Sequence, residues 1–282
     1  MIEENTVMAY ALEDEFGDII GKARRGQNKT HADIAAEAGI TESDLTRMEQ
    51  YTLKPTEVQV HKLAEVLNLN GKKLLEIATE QWEPSPIAQH DDEKLNVITV
   101  STPFGGWPVN AYLLICKATD EAAIIDTAAS PELILKQLDI HKVNPTAILL
   151  THSHKDHTDG LPRLQKATGC NTYIHKKEPK PQTAAKLHEV IHSDVVSIGD
   201  MMVTVLDTPG HTPGGCSFLT HTSAFVGDAI FAGSVGGPNI SYQDEINSVR
   251  DNILSLPDDV RLYPGHGPTT TVGEEKLHNP FF

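Results

Sequence analysis

At 282 residues the chain exceeds the ~100–200 residues of one ordinary domain, leaving room for one large core or two unequal ones. A formal net charge of −16 argues against non-specific attraction to nucleic acid or anionic membrane, both of which are themselves anionic. Three widely spaced cysteines (Cys116, Cys170, Cys216), an acidic N-terminus and no apolar run near ~20 residues exclude a disulfide framework and a membrane span, and predict a cytoplasmic protein.

From Glu13 to about Glu80 the apolar residues recur at three and four: Phe16, Ile19 and Ile20, Ile34 and Ala35, Leu45 and Met48, Leu63, Val66 and Leu67, Leu74 and Leu75. This period predicts about five short helices. Gly39 ends one, Thr41 N-caps the next, Pro55-Thr56 opens another and Asn70 caps the last. Over nearly its whole length the stretch resembles the Cro/repressor-type helix-turn-helix family, with Gly39 in the turn and Thr41 to Gln50 as recognition helix. The resemblance implies a small all-α domain over residues 1–80 that binds DNA, with Ser43 and Arg47 reaching base edges and a homodimer spanning two half-sites. A helical bundle serving only association is the competing reading. Charge weighs against DNA, because residues 1–80 hold 9 Lys and Arg against 15 Asp and Glu. Glu42, Asp44 and His31 also stand where the family often offers polar or basic side chains and a glutamine.

After Trp82 the polar, proline-interrupted stretch EPSPIAQHDDEKL predicts a linker, placed at residues 81–94. From residue 95 to 282 short β-rich runs follow (NVITV, AYLLIC, AAIID, AILLT, MMVTVLD, SAFVGD), separated by Gly/Pro turns and helical stretches such as PELILKQLD. That alternation is an α/β layered pattern. The lysine-bearing residues 176–186 read as a solvated surface segment.

The motif Thr151-His152-Ser153-His154-Lys155-Asp156-His157 follows the apolar run AILL, at the end of a buried strand. Alternate residues of an extended segment project the same way, so His152 and His154 can meet one ion, while Asp156 and His157, past the bend, can turn toward a second. Pro209-Gly210-His211, Gly227-Asp228 and Gly265-His266-Gly267-Pro268 have the same form, each a Gly-flanked ligand residue after an apolar run. Strand ends on one edge of a sheet converge in space. His188-Glu189-Val190-Ile191-His192 matches the His-Glu-x-x-His pattern of helical zinc proteases. With a polar turn next and no third ligand, it is read as a solvated surface helix.

These four motifs, in this order, resemble the metallo-β-lactamase superfamily, and the resemblance implies an αββα sandwich for residues 95–282. Position by position it assigns His152, His154 and His211 to one metal, Asp156, His157 and His266 to the other, and Asp228 as the bridge. The implied cofactors are two divalent ions, zinc by ligand type with iron or manganese tolerated. A hydroxide held between them would be the nucleophile, oriented by Asp156. TPGHTPGG, VGDAIFAG and LYPGHGPTTTVGEEKLHNPFF resemble the glyoxalase II-like branch, which implies hydrolysis of a thioester such as an acylated glutathione. Two departures matter. True zinc β-lactamases generally have cysteine or serine where Asp228 stands, and SVGGPN and GHGPT replace the lysine and tyrosines with which larger glyoxalase II enzymes bind glutathione. A small-molecule acyl substrate is expected, with a different thioester, an ester or a lactone left open beside an acylated glutathione. Iron-dependent persulfide dioxygenases of the same superfamily use only the positions of His152, His211 and Asp228. They usually break the Gly-His-Gly-Pro pattern, whose retention here favours two metals and hydrolysis.

Overall fold

The computed structural model describes residues 12–86, 92–128, 130–181 and 187–282. Five helices come first: α1 (Phe16–Gly26), α2 (His31–Ala38), α3 (Glu42–Glu49), α4 (Glu57–Leu67) and α5 (Gly71–Ala78). The local signals act as expected. Thr30, Thr41, Thr56 and Asn70 each accept a backbone N–H from the first turn of the following helix, and Gly39 at φ +67 closes α2. Their inward stripes, Ile19, Ile20, Ile34, Leu45, Leu63, Leu67 and Leu74, are wholly buried together.

That core is completed from elsewhere. Trp82, Ala232, Val235, Ile246 and Phe281 belong to it, and Trp82 stacks on His278 at 4.9 Å. The amide of Asn70 donates to Pro280 O (2.7 Å), and Ser85 N donates to Glu274 Oε1 (2.7 Å). The stretch read as a linker thus begins with packed residues, and its positions 87–91 lie outside the described residues.

The remainder runs β1 (Leu95–Phe104), β2 (Trp107–Cys116), β3 (Glu121–Ile125), α6 (Pro131–His141), β4 (Asn144–Leu150), α7 (Lys155–Thr158), α8 (Leu161–Thr168), β5 (Asn171–His175) and β6 (Leu187–Val190). Then come β7 (Val195–Ile198), β8 (Met201–Asp207), β9 (Cys216–Thr220), β10 (Ser223–Gly227), β11 (Ile230–Phe231), β12 (Ser234–Val235), α9 (Tyr242–Ser248), β13 (Arg261–Pro264), β14 (Thr270–Thr271) and α10 (Val272–His278). A π-helical turn, Val249–Ile253, continues α9.

Two six-stranded sheets form, in the orders β1-β2-β3-β4-β5-β6 and β14-β13-β10-β9-β8-β7. Strand periodicity places three apolar layers. Tyr112, Leu114, Ile125 and Leu149 of the first sheet meet Val203, Val205, Phe218 and Phe225 of the second. Leu113, Ile124 and Ile148 face α6 and α8 through Ile134, Leu138, Leu161 and Leu164, while Ala224, Val226 and Leu262 face Val249, Ile253 and Val272. The order is helix, sheet, sheet, helix, as expected.

One expectation fails. His188 to Val190 form the edge strand β6, not a surface helix, because residues 187–190 pair with β5 in register, with His188 opposite Tyr173. Extended backbone does not place His188 and His192 one helical turn apart, so the protease-like pattern holds no ligand pair. Among the described residues, no helix is long and apolar enough to cross a membrane.

Candidate metal centre

The ligand motifs sit where strands of both sheets end on one edge. β4 stops at Leu150, and His152 and His154 follow on extended backbone before α7 carries Asp156 and His157. His211 lies between β8 and β9, Asp228 after β10, and His266 after β13. Three ligand groups converge within 4.8 Å: His152, His154 and His211; His152, His157 and Asp228; Asp156, His157 and His266. Asp228 stands between the two outer triads. Its Oδ2 is 3.9 Å from His152 Nε2 and 3.5 Å from both His211 Nε2 and His266 Nε2, and its Oδ1 is 3.4 Å from His157 Nε2. Asp156 Oδ2 reaches His266 Nε2 at 3.4 Å and His157 Nε2 at 3.7 Å.

Four of the five rings are anchored by the far nitrogen, the exception being His154, whose Nδ1 faces His211 Nε2 at 3.0 Å. Nδ1 of His211 donates to Gly237 O (2.8 Å), that of His266 to Pro108 O (2.9 Å) and that of His157 to Asp126 Oδ2 (2.9 Å). His152 Nδ1 lies 3.0 Å from Thr151 Oγ1. Such outer contacts select the tautomer that aims Nε2 inward. Inside, His152 Nε2, His157 Nε2 and Asp228 Oδ1 are buried with no hydrogen-bond partner. Three converging orphans in a set of imidazoles and carboxylates fit a metal, since leaving them empty would cost the full desolvation of each. Gly265 keeps the gap tight, because a Cβ there would collide with Asp228 Oδ1 and the His157 ring.

The two halves differ in charge. Burial pushes the His152 and His211 rings down, leaving them neutral and ready to ligate. Burial pushes His157 down too, but the carboxylates of Asp228 and Asp126 outweigh it and hold the ring at about 10. His266, against Asp156 and Asp228, is held at about 11 despite its burial. Asp228 would be raised by burial, yet His157 and His266 keep it well below the usual carboxylate range.

All seven ligand positions read from the sequence therefore meet. Ser43 and Arg47 do not join them: both are exposed on the outer side of α3, Arg47 lying 3.7 Å from Asp44. Sequence reasoning missed the supports. Asp126 accepts the Thr151 amide and hydroxyl (both 2.8 Å) as well as the His157 ring. Glu178, inside the segment read as solvated, is 3% exposed and accepts Ser153 N and Gly214 N (both 2.8 Å), tying two ligand loops together. The available signal was a carboxylate at the end of a buried run, AAIID, for Asp126; Glu178 had none.

A sequence profile of the Metallo-beta-lactamase superfamily matches residues 104–266, a span that contains every ligand above. The hydroxyacylglutathione hydrolase GloC of Haemophilus influenzae is 31% identical over 201 residues, covering 62% of this chain and 95% of that protein. Among solved structures, BLEG-1 B3 metallo-beta-lactamase superposes with a TM-score of 0.60 at 29% identity, covering 65% of this chain and 99% of that one. TTHA1623 in a di-iron-bound form gives 0.57 at 30% identity, covering 65% and 100%. The five N-terminal helices lie wholly outside the profile match. With these candidate ligands assembled at the edge of a two-sheet sandwich, the chain belongs to the metallo-beta-lactamase superfamily.

Proposed function

We propose that the protein is a binuclear metal-dependent hydrolase of a thioester or related ester, of the glyoxalase II-like kind. The observation that carries this is Asp228, lying between two complete triads with partnerless buried atoms beside it. A similar hydroxyacylglutathione hydrolase and a similar di-iron structure support it. Two divalent ions, zinc by donor type with iron or manganese tolerated, would supply Lewis acidity toward a carbonyl and an activated water. The chain's own residues do the rest. Asp228, its side chain 8% exposed, lies between both triads, while Asp156, at 24%, is the more exposed carboxylate and would orient the attacking water. Tyr112 Oη and Asn110 Nδ2 donate to Pro264 O (2.6 Å) and Gly267 O (3.0 Å), holding the His266 loop against β2. Elemental analysis of protein purified without chelator, with a panel of thioesters, esters and lactones, tests the reading. Close to two ions per chain and turnover of at least one thioester are expected. One iron with no second site would favour the persulfide dioxygenase chemistry instead.

A second reading, DNA binding by a homodimer through the helical region, is favoured by the exposed Ser43 and Arg47 on α3. The acidic balance of that region removes the usual source of non-specific affinity. Gel-shift titration against random duplex at moderate salt should show no binding below the micromolar range, and submicromolar binding would favour a DNA-binding transcriptional regulator, with the metal domain as sensor, over a helical region that serves only association.

A further inference from the structure

The helical region has no part in the family match, yet it packs against residues beside the candidate metal centre. Glu13, just ahead of α1, lies on Gly267, the residue after ligand His266. A Cβ on Gly267 would come within 3.0 Å of Glu13 Cβ and 3.2 Å of Glu13 N. Gly267 also has φ +71, so glycine there serves both the turn and the approach of the N-terminal segment. From α1, Lys22 places its ammonium 4.8 Å from the centroid of the Phe231 ring, which meets the His266 ring edge-on at 5.8 Å.

The two charges differ in what they can still do. Lys22 is paired with Asp14 and donates to Val235 O (2.8 Å), so its charge is consumed inside the junction. Glu13 is half-buried and has no hydrogen bond or ion pair among the described residues. Burial raises its carboxyl to about 7, and it feels the charges of His266 and Asp228. Dications at the centre favour its ionised form.

We propose that Glu13, carried in by the helical region, is a specificity-determining residue of this site that disfavours anionic groups beside the scissile bond and selects neutral or cationic acyl substrates. A like charge held beside a binding site acts by repulsion, one way a site rejects a competitor it could otherwise hold. The proposal rests on the hydrolase reading for its substrate class and on Glu13's position alone for its sign.

The test uses the metal-loaded full chain with Glu13→Gln, which keeps shape, and Glu13→Lys, which reverses the charge. kcat/KM is measured for one acyl group carried on glutathione, an anionic carrier, and on N-acetylcysteamine, a neutral one. The anionic-to-neutral ratio should rise about tenfold in Glu13→Lys and by about threefold in Glu13→Gln. An unchanged ratio overturns the proposal. Should Glu13→Lys fail to fold, the Gln variant decides. Independently of turnover, the cobalt-substituted proteins are titrated with oxalate and read by their visible spectra. The dissociation constant should fall about tenfold in Glu13→Lys, and equal constants in all three proteins overturn the proposal even if thioesters are cleaved. Glu13-dependent oxalate binding without cleavage of any thioester, ester or lactone would instead remove the hydrolase reading and leave the electrostatic role of Glu13 standing.

Discussion

The helical region and the sheet edge handle buried polarity in opposite ways. Among the helices, the largely buried Arg24 is satisfied by Glu49 through two bonds of 2.7 and 2.8 Å, and the fully buried side chains are apolar. At the sheet edge, imidazoles and carboxylates are buried with atoms left partnerless. The first arrangement holds a fold together; the second keeps a deficit that a bound ion would relieve.

The largest effect should come from striking that deficit. Asp228→Ala removes the carboxylate that serves both triads, so hydrolysis should be abolished and metal content should drop at both sites. Elemental analysis giving wild-type stoichiometry would break the bridging assignment. Next comes the helical core, where Leu63→Ala should cost about 2–5 kcal/mol in urea unfolding while leaving metal stoichiometry intact. Because Trp82, Ala232, Val235 and Phe281 complete that core, a single transition is expected, and two resolved transitions would separate the regions. Asp126→Ala sharpens the contrast further, since Asp126 lies behind the candidate ligand His157 and is in none of the three converging groups. By releasing Thr151 and the His157 ring it should weaken metal affinity roughly 10–100-fold in chelator competition, as loss of an outer-contact partner does.

The smallest effect is in pH. His157 and His266 are held above their ordinary value of 6.5, so their contribution to the metal-free fold is fully present below 6.5 and fades as pH rises toward about 10 and 11. His152 and His211 are held below 6.5, and their contribution fades as pH falls through it. These four rings together favour a Tm maximum of the metal-free protein near their ordinary value of 6.5. Metal needs neutral rings, so the Tm gap between loaded and metal-free protein should widen up to about pH 9. A gap that narrows would contradict the charge assignment of the His157 half.

The amino-acid sequence by itself marked the candidate ligand positions, the helix starts and the β-rich runs, because each signal is local. Alternation sends His152 and His154 to one side, glycine-flanked residues follow apolar runs, and threonine or asparagine caps its own helix. Only the tertiary structure decided what depends on distant neighbours. The segment around His188 is a strand because β5 offers it an edge, and Glu178 is buried because two ligand loops present amides to it. Glu13 lies against Gly267, the residue after His266, for the same reason: nothing in its neighbourhood along the chain points to Gly267, and only packing of the helices onto the sheet edge brings the two together.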